Sequence, residues 1–227
     1  IPEADFLYYA DEEHVPYGEK TREQVRGYID EIIAFMIKKQ VDAIVIACNT
    51  ASAYALATVE KEFDVPIIGV IRAGARTAVQ VTRNGKIGVI ATEGTIGSGI
   101  YTQEIKKLRP DIEVTGKSCP LFVPLVEEGL LHDSVTDEIA SRYLSSLKSR
   151  FVDTLVLGCT HYPLIRSTLG RLMGNDVTLV NPAYETAIEL RDLLQKYGLS
   201  CDEENTGGEK YQFFVSDQTE KFTAFAT

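Results

Sequence analysis

The stretch that decides the fold is V-D-A-I-V-I-A-C at residues 41–48, which V-D-T-L-V-L-G-C at residues 152–159 repeats. Val, Asp, the second Val and Cys are identical in the two copies, and three further positions exchange one apolar residue for another. Each copy predicts a buried strand that stops at a cysteine, with helical patterns before and after it. The repeat therefore predicts two similar α/β units, each with a cysteine at the carboxyl end of a strand.

The rest of the chain alternates short apolar runs with amphipathic patterns. This alternation is typical of parallel sheets flanked by helices. The sequence therefore predicts the α/β class, with two similar parallel-sheet domains facing each other across a central active-site cleft. The predicted strands cover residues 6–9, 43–47, 67–70, 86–91, 154–157, 177–180 and 211–215, and the predicted helices cover residues 21–39, 52–63, 72–82, 99–108, 135–150, 165–173 and 184–197.

The composition argues against several classes of partner. The chain has 227 residues and a formal net charge of −10, whereas a nucleic-acid surface needs clustered Lys and Arg. The sequence has no apolar run long enough to span a bilayer and no signal sequence. We therefore expect a cytoplasmic protein that acts on a small molecule, with no nucleic-acid or membrane partner.

Among the four cysteines, only the pair in the repeat indicates a catalytic role. Cys48, Cys119, Cys159 and Cys201 form no C-x-x-C motif and have no zinc-ligand spacing, so we predict no metal site. A lone free cysteine is most often a small buried apolar residue, and we assign Cys119, which lies in an apolar segment with two prolines, to packing or loop structure. Cys48 and Cys159 differ because both end a strand of the repeat and both precede polar residues that can cap a helix.

Two thiols in equivalent positions favour acid/base work at one carbon. Acyl transfer needs one thiolate, and redox pairs are more often C-x-x-C. A helix N-terminus pushes a thiol toward thiolate, and the unperturbed thiol pKa of about 8.5 allows either role near neutral pH. This pattern fits a racemase, in which one group removes a proton and the other returns one from the opposite face.

Four motifs match this interpretation. A-C-N-T-A-S at residues 47–52 and L-G-C-T-H-Y-P-L at residues 157–164 resemble the signature motifs of glutamate racemases, within the aspartate/glutamate racemase superfamily. V-P-Y-G at residues 15–18 and C-P-L-F-V-P-L-V-E at residues 119–127 also resemble segments of that family. Residues 87–95 resemble the start of its second domain, and we expect the glycine-rich run at residues 94–99 to be a turn serving the pocket.

The resemblance implies a cofactor-independent interconversion of L- and D-glutamate that supplies D-glutamate for peptidoglycan, and hence for cell-wall biogenesis and cell shape. It implies that Cys48 acts on D-glutamate, that Cys159 acts on L-glutamate, and that His161 assists Cys159. Glu127 corresponds to a carboxylate near the site, with Glu128 as the alternative. The positions that correspond to substrate contacts are Pro16, Tyr17, Gly18, Asn49, Thr50, Thr92, Thr95 and Thr160.

The resemblance also implies a domain division and a homodimer. The first domain comprises residues 1–72 with 181–227, and the second comprises residues 73–180. One departure concerns the family's first strand, which ends in an Asp-Ser loop that is not present here. Since the aspartate of that loop is held to assist the Cys48 equivalent, we expect a segment upstream of Ile1 to be missing from this sequence.

Three alternatives stay open on the sequence alone. An aspartate racemase differs by one methylene in its substrate, which a pocket discriminates by only about 1–3 kcal/mol. A non-catalytic amino-acid-binding relative would keep the cleft without turnover. A metal-binding or redox protein would use the same thiols in a different way.

Overall fold

The computed structural model describes residues 4–199 and 210–217, so Cys201 lies outside the described residues. Strands and helices alternate along the chain, as the sequence predicts. The strands are β1 (Phe6–Ala10), β2 (Ile44–Ile46), β3 (Ile67–Gly69), β4 (Lys86–Ala91), β5 (Glu113–Ser118), β6 (Thr154–Gly158), β7 (Thr178–Val180) and β8 (Tyr211–Val215). The helices are α1 (Arg22–Lys38), α2 (Asn49–Glu62), α3 (Val70–Val81), α4 (Glu93–Gly97), α5 (Ile100–Leu108), α6 (Phe122–Glu127), α7 (Ser134–Lys148), α8 (Arg166–Met173) and α9 (Ala183–Lys196).

The larger sheet has the order β5-β4-β6-β7, and each of its neighbouring pairs is parallel. Its central strands β4 and β6 consist almost wholly of buried residues, because helices cover both faces. In the register, Ala91 at the end of β4 lies beside Gly158 and Ser118. The segments that follow β4, β5 and β6 therefore emerge together at one edge of the sheet.

The first unit contains two shorter pairs of parallel strands. β2 pairs with β3, and β1 pairs with β8. Within residues 4–199 and 210–217, no hydrogen-bonded strand joins these two pairs. The pairing of β8 with β1 brings the end of the described chain back to the first unit, and α9 packs on α3. The division at residues 72/73 and 180/181 stays a prediction.

Three elements were not predicted from the sequence. β5 was missed because it is a polar edge strand with no buried residue. The glycine-rich run was expected to be a turn, but Thr92 caps a short helix, α4, by accepting a hydrogen bond from the Thr95 amide. In α6, Pro124 occupies the first turn, where its missing N–H removes no intrahelical bond.

The core is divided among three apolar clusters. One surrounds α1, β2 and α2, a second lies between α3, β4 and α5, and a third fills the space beneath β6, α7 and α8. In the third cluster, the fully buried Tyr162 and Phe122 meet edge to face with ring centroids 5.2 Å apart. None of the helices in the described ranges combines the length and the apolar character needed to cross a membrane.

Candidate active site

Both repeat cysteines lie at the carboxyl ends of parallel strands. Cys48 follows β2 and is the residue immediately before α2, whose first turn begins at Asn49 and not at Ser52 as predicted. Cys159 follows β6 and precedes a short 3-10 turn, Tyr162–Ile165. Cys159 is buried, and Cys48 is partly buried. The structure therefore confirms that the two thiols occupy equivalent places in their units.

Burial controls the acidity of both thiols. Desolvation raises the pKa of Cys159 from its ordinary value of 9.0 to about 12, although hydrogen bonds from the neighbouring His161 and Thr160 partly oppose the rise. Negative charge on Cys48 raises the pKa of Cys159 further, so the two sulfur atoms are close enough to interact. The pKa of Cys48 is also raised by burial, despite backbone and hydroxyl donors in the first turn of α2. The expected shift toward thiolate was wrong, because desolvation outweighs the helix N-terminus.

Cys159 has the predicted histidine and carboxylate beside it. Its sulfur lies 3.7 Å from Nδ1 of His161, and Nε2 of His161 lies 2.5 Å from Oε1 of Glu127. His161 is half-buried, whereas Glu127 at the end of α6 is exposed. The structure brings these three residues together in a chain, with Glu127, and not Glu128, as the partner of His161.

On the Cys48 side of the cleft, the ring and the carboxylate belong to a tyrosine and an aspartate, Tyr17 and Asp11. The hydroxyl of Tyr17 donates a 2.5 Å hydrogen bond to Asp11. Burial and this bond raise the pKa of Tyr17, and so does negative charge on Cys48. Asp11 also receives hydrogen bonds from Ser216 at the end of β8 and from His14, whose ring stacks on Tyr28. A partly buried carboxylate thus anchors the turn that carries Tyr17.

Three of the predicted substrate-contacting threonines form one hydroxyl triangle. Oγ1 of Thr50 lies 2.8 Å from that of Thr92 and 3.2 Å from that of Thr95, and Thr92 and Thr95 are 3.0 Å apart. Thr50 lies in the first turn of α2 in the first unit, whereas the other two flank the start of α4 in the second. The triangle therefore joins the two units at the predicted cleft.

The remaining predicted contacts lie around this junction. Pro16 and Thr160 are exposed, and Tyr17 is buried. Gly18 approaches the second unit so closely that an added Cβ would lie 2.8 Å from Cβ of Thr92. Asn49 is buried and accepts a hydrogen bond from Tyr101 on α5.

Sequence reasoning did not identify Tyr101 as part of this site, and it placed Asp11 in a segment that resembles the family's substrate loop without giving it a role. The partners of Tyr101 and Asp11 include residues 52 and 205 positions away, so no local pattern predicts the contacts. Cys119, by contrast, packs in the apolar core as predicted, and burial raises its pKa to about 12. Among the described residues, no three His, Cys, Asp or Glu side chains are grouped so that they could hold a metal ion.

Known proteins are similar in sequence to this chain over nearly its whole length. Residues 1–189 match the family described as Asp/Glu/Hydantoin racemase. A glutamate racemase of Geobacter metallireducens is 45% identical over 217 residues, which are 96% of this chain and 80% of that protein. The chain belongs to the Asp/Glu/Hydantoin racemase family. The protein is therefore an amino-acid racemase, which is an isomerase.

Solved structures give the same assignment for the fold. The racemase superimposes on glutamate racemase isoform RacE1 of Bacillus anthracis with a TM-score of 0.94 at 38% identity, covering 99% of this chain and 84% of that one. The glutamate racemase of Francisella tularensis, solved in complex with D-glutamate, gives a TM-score of 0.89 at 35% identity, with coverage of 98% and 82%. The racemase has the two-domain fold of these proteins, as the repeat predicted.

Proposed function

We propose that this racemase interconverts L- and D-glutamate without a cofactor, by two-base proton transfer between Cys48 and Cys159. The observation that carries the proposal is the placement of the two thiols at the carboxyl ends of β2 and β6, close enough for negative charge on Cys48 to raise the pKa of Cys159. Glutamate is the substrate in the names of the relatives, and one of them was solved with D-glutamate bound. These names favour glutamate over aspartate as the substrate here.

In the proposed reaction, the thiolate of one cysteine removes the α-proton of glutamate. The electron pair of the broken C–H bond stays on the α-carbon, and the thiol of the opposite cysteine then donates its proton to the other face. Cys48 acts first on D-glutamate and Cys159 acts first on L-glutamate. The number of protons on the two cysteines does not change overall, because one S–H bond forms as the other breaks.

Burial serves this chemistry in a specific way. A thiolate whose pKa is raised is a stronger base, and the α-proton of an amino acid is only weakly acidic. We propose that His161 assists the proton movement at Cys159, and that Glu127 orients the imidazole by binding its other nitrogen. This role is supported by the His161 ring, which has Sγ of Cys159 on one side and the carboxylate on the other.

The substrate carboxylates need donors, and hydroxyls, amides and backbone N–H groups can supply them without a basic patch. We propose that these donors come from Tyr17, Gly18, Asn49, Thr50, Thr92, Thr95 and Thr160, and that Pro16, which has no N–H group, contacts the substrate through its ring. The proposal includes the domain division at residues 72/73 and 180/181 and a homodimer. It also includes a cytoplasmic role in supplying D-glutamate for peptidoglycan.

Circular dichroism of each enantiomer, together with deuterium incorporation at Cα in D₂O, tests the function. We expect both Cys48→Ala and Cys159→Ala to lower racemisation by at least about a thousandfold, since each removes one of the two proton carriers. Cys119→Ala removes a buried thiol that the mechanism does not use, and it should retain turnover.

Two results would overturn the proposal. A wild-type protein that incorporates no deuterium into either enantiomer of glutamate is not a glutamate racemase. Substantial racemisation by either single cysteine variant would contradict the two-base assignment. Faster turnover of aspartate than of glutamate would transfer the same mechanism to the shorter substrate.

A further inference from the structure

One tyrosine contacts the neighbours of both repeat cysteines. Tyr101 lies on α5 and is only 3% exposed. Its hydroxyl donates a 2.7 Å hydrogen bond to Oδ1 of Asn49, the residue after Cys48. Its ring edge packs on Gly158, the residue before Cys159, where an added Cβ would lie 3.3 Å from Cε2 of the ring. Burial raises the pKa of Tyr101, and so does negative charge on Cys159.

The bond from Tyr101 fixes which end of the Asn49 amide faces the cleft. A tyrosine hydroxyl that donates to Oδ1 leaves Nδ2, the end with two N–H donors, pointing elsewhere. Among the described residues Nδ2 has no hydrogen-bond partner, yet no buried side-chain nitrogen or oxygen there lacks one. Nδ2 must therefore retain access to solvent, although Asn49 as a whole is only 4% exposed.

The surroundings of the tyrosine hold its hydroxyl in this place. An added Cβ on Gly74 of α3 would lie 3.2 Å from the Tyr101 oxygen and 2.9 Å from Cγ of Pro182. Since glycine at position 74 leaves room for the hydroxyl, the ring is confined between α3 and the end of β6. Such a confined donor loses little conformational entropy when it binds an acceptor.

We propose that Tyr101 is a positioning residue that locks the Asn49 amide with its N–H donors directed at a substrate carboxylate. The inference rests on the proposed function, because it assumes that Asn49 binds substrate beside Cys48. Without the hydroxyl, the amide could rotate by 180° and present Oδ1 to the carboxylate, which repels it. Tyr101 touches neither the substrate nor a sulfur atom in this proposal and acts through Asn49.

The test is a double-mutant cycle on substrate affinity. Tyr101→Phe removes only the hydroxyl, and we expect it to raise the KM and the calorimetric Kd for D-glutamate about tenfold, equivalent to about 1.4 kcal/mol. The change in kcat should be smaller than the change in KM. In an Asn49→Ala background, Tyr101→Phe should change the Kd by less than about twofold, since its target is gone.

Thr154→Val is the matched control for loss of a buried hydroxyl. Thr154 is fully buried and donates to Asp153 at the amino end of β6, the end remote from Cys159. This variant should shift the thermal unfolding midpoint without changing KM. An unchanged Kd in Tyr101→Phe, or an equal rise in both backgrounds, would overturn the inference.

A second readout uses the wild-type protein and does not depend on the folding of Tyr101→Phe. D-glutamate should shift the side-chain amide NMR resonances of Asn49, identified by their absence in Asn49→Ala. A shift supports the inference, and unshifted resonances at saturating D-glutamate overturn it. Failure of the proposed function is separate, because it would appear as absence of racemisation by the wild-type protein itself.

Discussion

At the scale of single residues, solvent exclusion is the dominant effect on the reacting groups. The first turn of α2 directs N–H groups at Cys48, which taken alone would lower its pKa, but burial raises it. The same balance holds at Cys159. The thiols are therefore protonated at neutral pH, and forming a thiolate is part of the barrier to turnover.

The raised pKa of Cys159 predicts a loss of stability at alkaline pH. The folded protein keeps this proton up to a pH of about 12, whereas the unfolded chain releases it near the ordinary value of 9.0. Because the folded state then binds more protons, the free energy of unfolding falls as pH rises through this window. Between pH 8 and pH 10, the free energy of unfolding measured with urea should fall by about 1.4 kcal/mol less in Cys159→Ala than in wild type. Parallel curves for the two proteins would contradict the assignment.

At the scale of elements, the turn after β1 acts as a contact between the two units. Tyr17–Glu19 form a 3-10 turn, Asp11 anchors the turn through Tyr17, and Gly18 meets Thr92. The absence of a side chain at Gly18 is what permits this approach. A predicted substrate loop is therefore held by a carboxylate on one side and by the second unit on the other.

Gly18→Ala should impair turnover through this contact. The new methyl group would lie 2.8 Å from Cβ of Thr92, which real Cβ atoms do not tolerate, so the turn or α4 must move. We expect kcat/KM to fall at least about tenfold, because a displacement of about 1 Å in a site can cost a hundredfold. Steady-state kinetics with D-glutamate measure the effect.

Gly27→Ala is the matched control for this glycine substitution. Gly27 lies within α1 with no atom within 4 Å of an added Cβ. Alanine there should raise the free energy of unfolding by about 0.5–1 kcal/mol and leave kcat/KM unchanged. If Gly18→Ala were as active as Gly27→Ala, the contact with Thr92 would have no functional importance.

At the scale of the whole molecule, the two ends of the larger sheet have different tasks. The carboxyl end carries Cys159 and the threonine triangle. At the amino end, the Asp153 carboxylate accepts hydrogen bonds from the Thr82 hydroxyl and from the backbone N–H groups of Arg83 and Asn84. Burial alone would raise the pKa of Asp153, but these bonds lower it. The amino end of the sheet therefore stabilises the fold.

Asp153→Asn should separate stability from activity. Hydrogen bonds to a charged group contribute about 1.5–3 kcal/mol, so we expect the free energy of unfolding at pH 7 to fall by about that amount. Because the pKa of Asp153 is lower in the folded protein, its hydrogen bonds contribute fully to stability above the unfolded pKa of about 3.9. This contribution is lost as the pH falls through the pKa of the folded state. The difference between variant and wild type should therefore shrink below pH 4 in urea unfolding.

The activity of Asp153→Asn is the other half of this prediction. Asp153 lies roughly 20 Å along the strand from Cys159, at about 3.3 Å per residue. kcat/KM should stay within about twofold of wild type below the unfolding temperature. A large loss of activity in the folded variant would contradict the division of labour between the two ends.

The sequence by itself determined the α/β class, the repeated strand that ends in cysteine, and the family. These features are local: an apolar run and the residues that follow it specify a buried strand and a polar turn, wherever the strand lies. The bounds of β4 and β8 were predicted without error, and those of α1 differ by one residue at each end. Polar β5 and the capped α4 were missed, because their formation depends on neighbours and not on hydrophobic period.

Only the tertiary structure decided how the cysteine loops are supported. The Tyr101–Asn49 bond, the link from Asp11 to Ser216 and the choice of Glu127 over Glu128 join residues that are far apart in the chain. The direction of the thiol pKa shifts was decided there as well. Desolvation depends on how many atoms from both units surround a sulfur atom, and no stretch of sequence contains that information.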